Sequence, residues 1–216
     1  MISFHEVCKN YAQQCALDDV SFSIGNGEMV FLTGHSGAGK TTLLKLIMLI
    51  EKSDQGQIYI DGKNTRTLTK KQIPLLRQSI GMVFQNPRLL MGRTVFDNIA
   101  LPLVITGHSR DDIAKRVRAA LDKVGLSGKE KKFPVELSYG EQQRVGIARA
   151  VVNKPKILLA DEPTGNLDPT ISKDIMDLFS AFNAVGTTVM IASHDLALIA
   201  GFNYRIVTLE HGKLVN

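Results

Sequence analysis

The segment Gly34-His35-Ser36-Gly37-Ala38-Gly39-Lys40-Thr41 has the spacing G-x-x-x-x-G-K-[ST]. Glycines so placed let a backbone wrap a phosphate with several N–H groups pointing inward. A helix that follows turns its positive N-terminus toward the same anion. Lys40 adds a point charge for β- and γ-phosphates, and the Thr41 hydroxyl is an oxygen ligand for Mg²⁺. A second group lies far downstream, at the end of Ile157-Leu158-Leu159-Ala160-Asp161-Glu162. Asp161 suits a hard cation, directly or through water, and Glu162 suits a general base. A third is Leu137-Ser138-Tyr139-Gly140-Glu141, where Ser138 and Glu141 have capping-box spacing. It reads as a well-capped helix start, or as one whose free N–H groups, with Ser138 and Gly140, take up a phosphate from outside.

Elements that could position these groups are visible. Met29–Leu32, Ile80–Phe84, Ile157–Ala160 and Thr187–Ala192 are short apolar runs rich in β-branched residues. Such runs predict parallel strands covered on both faces, and the helical patterns between them predict an α/β sheet. The first run leads to Gly34, the second to Gln85, the third to Asp161-Glu162 and the fourth to His194. Ligands of open α/β sheets bind beyond the carboxyl ends of the strands, so four polar groups at four such ends predict one shared site. Ile2–Phe4, Val20–Ile24 and Gln57–Gly62 alternate and predict half-buried antiparallel strands at the flank. Residues 86–153 read as a mainly helical insertion. Within it Ser109 opens an amphipathic helix, with Asp112 placed for a capping box and Gly125 as the stop. The expected organisation is one domain over 1–216. Its core and β-subdomain take about 1–85 and 154–216, its helical subdomain about 86–153.

Composition narrows the function. Apolar residues make up 44% and charged residues 22% of the 216, which excludes disorder and a disulfide scaffold. With no Trp and 6% aromatics, base stacking on aromatic rings is disfavoured, and nucleic acid is not an expected partner. Cys8 and Cys15 match no zinc spacing and read as buried or half-buried free thiols. The start, Met1–Glu6, lacks a signal-peptide pattern, and no apolar run is long enough to span a bilayer, so a membrane role must come through a partner. Net charge is +5, and seven cations with no carboxylate lie between Gly62 and Phe96. That stretch reads as a solvated face or as a surface for anionic head groups or an acidic partner.

The order Lys40, Gln85, Ser138–Glu141, Asp161-Glu162, His194 resembles that of ATP-binding cassette (ABC) ATPases over essentially the whole chain. The resemblance implies a P-loop NTPase fold of the RecA-like kind: a parallel-sheet core, a flanking antiparallel β-subdomain and a helical insertion. It makes Gly34–Thr41 the Walker A loop, Ile157–Glu162 Walker B, Leu137–Glu141 the signature turn and Asn166–Asp168 the D-loop. ATP contacts would come from Tyr11 (stacking on adenine), Gly34, His35, Ser36, Gly37, Ala38, Gly39, Lys40, Thr41, Thr42 and Gln85. Those of Ser138, Gly140 and Glu141 would be made in a head-to-tail homodimer that closes on ATP. Mg²⁺ would be held by Thr41, Gln85 and Asp161, and catalysis carried by Glu162, His194 and Lys40. Tyr139 replaces a glycine of the family's LSGGQ turn, which predicts strain if φ is positive there, crowding of the ATP and weakened closure. Glu141 replaces the glutamine and places a negative charge near a phosphate.

The runs Phe84–Leu90, Arg93–Val95, Asn98–Leu103, Arg144–Ala150 and Asp161–Asp168 are similar to those of the family's small cell-division ATPases, the last being shared with lipoprotein-releasing and macrolide-exporter ATPases. That branch implies an integral membrane subunit of the FtsX type and a peripheral place on the cytoplasmic face of the inner membrane. It also implies control of cell-wall hydrolysis and possible contact with division-ring proteins. Two alternatives stay open: the motor of a lipoprotein-releasing or macrolide-type exporter, and an ATP-gated dimerising scaffold with little hydrolysis.

Overall fold

The computed structural model describes residues 1–12 and 14–215. Two sheets form. The smaller is antiparallel: β1 (Ile2–Tyr11), β2 (Gln14–Ile24), β4 (Gln55–Ile60) and the short β5 (Lys63–Asn64), in the order β2-β1-β4-β5. The larger holds β3 (Met29–Thr33), β6 (Ile80–Phe84), β7 (Ile157–Asp161), β8 (Thr188–Ala192), β9 (Arg205–Glu210) and β10 (Lys213–Val215). Its order is β10-β9-β3-β8-β7-β6, parallel throughout except for β10 against β9.

Why the central runs are continuously apolar is now plain. Alternate residues of β3, β7 and β8 enter two different cores. Phe31, Leu158, Ala160, Val189 and Ile191 face one core, whose other wall includes Val145 and Ala148 of α5 (Tyr139–Val151) and Ile175 and Phe179 of α6 (Pro169–Ala184). Val30, Leu32, Leu159 and Met190 face the other, with Leu43 and Ile47 of α1 (Lys40–Ile47) and with Phe4 and Ile58 of the small sheet. Each Val, Leu, Ile, Phe or Met side chain among these, fully buried, contributes about 1.5–3 kcal/mol.

Between β6 and β7 lie α3 (Val95–Ile105), α4 (Arg110–Lys123) and α5, packed on one another; α2 (Gln72–Arg77) precedes β6, and α7 (Leu196–Ala200) follows β8. Helix α4 starts at Ser109, whose hydroxyl accepts from the Asp112 amide at 3.3 Å. Only half of the expected capping box forms there, because the Asp112 carboxylate accepts from Arg116 Nε at 2.8 Å instead. Its end is a Schellman turn: Gly125 at φ 70°, with Leu126 N–H on the Leu121 carbonyl and Gly125 N–H on that of Asp122.

One expectation needs correcting. Both thiols are free, but only Cys8 is half-buried; Cys15 is exposed. Cys15 lies on β2, an edge strand, at a position that faces away from the core.

Candidate active site

Register brings the strand ends together. Leu32 pairs with Ala192, Ala192 with Asp161 and Asp161 with Phe84, a single row across β3, β8, β7 and β6. Four adjacent strands span only about 15 Å. The residues just past that row are the Gly34 loop, His194, Glu162 and Gln85.

The loop is held open by its surroundings. Gly34 has φ 144° and Gly39 φ 110°, a region hostile to side chains. A Cβ on Gly34 would lie 2.2 Å from the Leu209 carbonyl oxygen of β9, and one on Gly39 would lie 2.5 Å from that of Ala16 of β2. Gly39 also heads α1 with no side-chain cap, which leaves the helix's first N–H groups free. Lys40, 7% exposed, donates from Nζ to the Gly34 carbonyl at 2.7 Å and to that of His35 at 3.2 Å. Its third neighbour is Glu162 Oε1 at 3.7 Å.

Acidic groups face this loop from the neighbouring strands. Thr41 Oγ1 donates to Asp161 Oδ2 at 2.9 Å. Burial pushes the Asp161 carboxyl above its ordinary range, the Thr41 hydrogen bond opposes this, and nearby Glu162 adds to it. An under-compensated carboxylate beside a threonine hydroxyl is a pair of oxygen groups that suits Mg²⁺. Glu162 sits at φ 50° and donates its N–H to the Ala192 carbonyl at 2.9 Å, which ties β7 to the end of β8. Its Oε2 meets His194 Nδ1 at 2.7 Å. Lys40, Thr41, Asp161, Glu162 and His194 therefore form one cluster from three strand ends. Gln85 is next to it: its Nε2 lies 2.9 Å from where a Gly165 Cβ would be.

The helical face stands apart. Among the described residues no hydrogen bond or ion pair joins Ser138, Gly140 or Glu141 to the Gly34–Thr41 loop. Ser138 and Glu141 form the expected reciprocal cap on α5: Glu141 N–H donates to Ser138 Oγ at 3.3 Å, and Ser138 N–H to Glu141 Oε2 at 2.9 Å. Glu141 is also paired with Lys129, and that bond, with the one from Ser138, holds its carboxyl below the usual range. Tyr139 departs from expectation. It is the first residue of α5 and has no positive φ, so helical geometry removes the anticipated strain. Its hydroxyl turns inward, donating to the Gln85 carbonyl at 2.7 Å and accepting from Asn166 Nδ2 at 3.2 Å.

Tyr11 ends β1, 37% exposed, with the Lys9 ammonium 5.3 Å from its ring centre. Its hairpin reaches the loop through Ala16 and Leu17, both against Gly39. His35, Ser36 and Gly37 are exposed at the loop tip, Ala38 is buried, and Thr42 is half-buried in α1.

The sequence reading missed the β9–β10 hairpin. Gly212 N–H donates to the Ala38 carbonyl at 3.2 Å, and the His35 and His211 rings lie 4.8 Å apart. The His211-Gly212 pair was the one turn signal there, and polar residues interrupt the run before it. Of the seven cations in the basic stretch, three are structural. Arg66 donates to the Gly56 carbonyl, Arg77 to those of Met48 and Leu49, and Arg88 lies over the Phe84 ring.

Known proteins resemble this chain in sequence and in fold. The family described as ABC transporter matches residues 17–165. The cell division ATP-binding protein FtsE of Escherichia coli K12 is 58% identical over 215 residues, covering 99% of this chain and 97% of that protein. Its namesake in Mycobacterium tuberculosis is 48% identical over 217 residues, covering 100% and 94%. Among solved structures, the dimeric post-hydrolysis state of the ATP-binding cassette MJ0796 bound to ADP and Pi superposes with a TM-score of 0.91. It is 35% identical and covers all of this chain and 97% of that one. With its phosphate loop, acidic strand end and capped α5 arranged as described, the chain belongs to the ABC transporter family of ATPases.

Proposed function

We propose that this chain binds ATP with Mg²⁺, hydrolyses it to ADP and phosphate, and drives a membrane complex of bacterial cell division. The single observation that supports this most is the contact chain Thr41–Asp161 and Lys40–Glu162–His194, in which every group has a role in phosphoryl transfer to water. Lys40 and the loop amides take the β- and γ-phosphates, and Lys40 exchanges its carbonyl and Glu162 contacts for phosphate oxygens. Thr41, Gln85 and Asp161 hold Mg²⁺, which when bound offsets the phosphate charge. Glu162 accepts a proton from the attacking water. His194 holds the Glu162 carboxylate and reaches the γ-phosphate from the next strand end. Tyr11 stacks on the adenine.

Among the described residues Ser138, Gly140 and Glu141 make no hydrogen bond or ion pair to the chain's own phosphate loop, which supports their serving, with the first N–H groups of α5, the ATP of a second copy. Two copies in head-to-tail contact make both composite sites equivalent by two-fold symmetry. Loss of the γ-phosphate then lets the pair open. The relative MJ0796 was solved as a dimer with ADP and Pi, which supports this geometry. Residues 86–153 act as the helical subdomain that presents the turn, and 1–85 with 154–216 as the catalytic core and β-subdomain.

Among the described residues no helix is long and apolar enough to cross a membrane. The exposed apolar side chains of Leu75, Val104 and Ile105, on α2 and α3, support docking of an integral membrane subunit of the FtsX type. Lys70 and Lys71, both exposed, would face the inner leaflet of the cytoplasmic membrane. High identity to FtsE favours division over lipoprotein or macrolide export. Helical geometry at Tyr139 removes the backbone strain that favoured a scaffold with little hydrolysis. Affinity isolation of the chain from membranes, with phosphate release measured with and without what co-purifies, tests the whole. A division permease and stimulated release are expected. An exporter permease refutes the cell-division assignment, and absent release refutes the enzyme.

A further inference from the structure

Helix α5 presents a row of donors to the segment joining β6 to α3. Gln143 Nε2 donates to the Phe84 carbonyl at 3.0 Å, and the Tyr139 hydroxyl to the Gln85 carbonyl at 2.7 Å. The Arg149 guanidinium serves Pro87 and Arg88, the latter at 3.0 Å. Gly146 completes this face; a Cβ there would lie 3.1 Å from the Pro87 ring. Gln143 is fully buried and acts as fixed packing. Tyr139 differs in being half-buried at the rim and in making a second bond, from Asn166 Nδ2 at 3.2 Å. Asn166 lies four residues past Glu162, beside the Gly165 that packs on the Gln85 amide. One hydroxyl thus touches both the Gln85 turn and the loop behind the proposed base.

We propose that Tyr139 is a positioning residue for Gln85: its hydroxyl ties the head of α5, the Gln85 turn and the Asn166 loop into one unit. This rests on the ATPase reading, because Tyr139 acts on the reaction only through Gln85 and the loop after Glu162. It turns a departure at the first glycine of the signature turn into a link between the face that serves a second copy's nucleotide and the groups that serve the chain's own. Among the described residues Tyr139 makes no hydrogen bond to Gly34–Thr41, so the phosphate loop keeps its own contacts without it.

The test is Tyr139→Phe in the full chain, which keeps the ring and removes both bonds. A neutral hydrogen bond shifts a local equilibrium by about fivefold, and two by up to about thirtyfold. Hydrogen exchange is read first, without nucleotide, at the Gly165 and Leu167 amides, which donate to the Glu162 and Thr164 carbonyls. They should exchange five- to thirtyfold faster in the variant. Phosphate release should then show kcat down by a similar factor, with KM for ATP within twofold of the parent. Tyr139→Gly should match Tyr139→Phe if the hydroxyl carries the effect. Unchanged exchange, a KM effect without a kcat effect, or a parent-like Tyr139→Phe beside an impaired Tyr139→Gly each overturns the proposal. A parent chain that releases no phosphate would instead refute the ATPase reading, and exchange still decides the tie.

Discussion

Replacing Glu162 by glutamine separates chemistry from binding. Gln is isosteric, and its amide can meet His194 Nδ1 in either tautomer, so the 2.7 Å contact survives. The backbone at φ 50° accepts Gln as it accepts Glu. What disappears is the proton acceptor, which contributes about 10²–10⁴ to rate, or about 2.7–5.5 kcal/mol of barrier. Binding should move the other way. Glu162 Oε1 lies 3.7 Å from Lys40 Nζ, and both side chains are largely buried. Their attraction is about 1 kcal/mol at the dielectric of water and about 4 kcal/mol at an effective dielectric of 20, before desolvation offsets it. ATP must take Lys40 from that carboxylate, so the variant should bind ATP about fivefold tighter or more. The assays are phosphate release, ATP titration and sedimentation for dimerisation. Release should fall at least a hundredfold while an ATP-bound dimer accumulates. Turnover within about threefold of the parent would remove Glu162 as the base. Weaker ATP binding would refute the competition for Lys40.

Other outcomes follow from the same cluster. Burial raises the Asp161 carboxyl above 3.8, so the folded chain holds that proton more tightly than the unfolded one. The resulting penalty is present above the raised value and fades as pH falls through it. Asp161→Asn should therefore raise the melting temperature without Mg²⁺-ATP at pH 7.5, the gain narrowing toward pH 4, while abolishing stabilisation by Mg²⁺-ATP. Gly34→Ala and Gly37→Ala should differ in urea unfolding. The first places a Cβ 2.2 Å from the Leu209 carbonyl, the second, at φ 82°, meets no atom within 4 Å. Left-handed strain of about 1–2 kcal/mol applies to both, with a further 1–3 kcal/mol or so of overpacking in Gly34→Ala alone. Lys129→Ala removes the cationic partner of Glu141, leaving its charge compensated only by the capping contacts at the head of α5. ATP-driven dimerisation, followed by sedimentation in the Glu162→Gln background, should weaken several-fold, and more so at low salt.

How much could be read beforehand depended on how local the cause was. Ile80–Phe84 is legible because its run is apolar throughout, and it begins and ends where that run does, although Ile80, Met82 and Phe84 stay half-buried on this edge strand. The α5 cap is legible because Ser138 and Glu141 are three residues apart and satisfy each other. β9 was not legible: Arg205, Thr208 and Glu210 interrupt its run, and its pairing with β3 supplies what its composition lacks. The Asp112 cap failed because Arg116, one turn on, offers a charged donor, a competition that spacing alone does not rank.

From residue types in order came the chemistry: a loop for phosphate, oxygen ligands, a base, a histidine, each at the end of an apolar run. Those features follow from local periodicity and from what each side chain can donate or accept. Which of them meet was settled by tertiary structure. Thr41 and Asp161 lie 120 positions apart and share a hydrogen bond only because the register of four strands sets their ends in one row. The inward turn of Tyr139 belongs to the same class, since its two partners come from the ends of β6 and β7, and only packing of α5 against the sheet places them within reach of one hydroxyl.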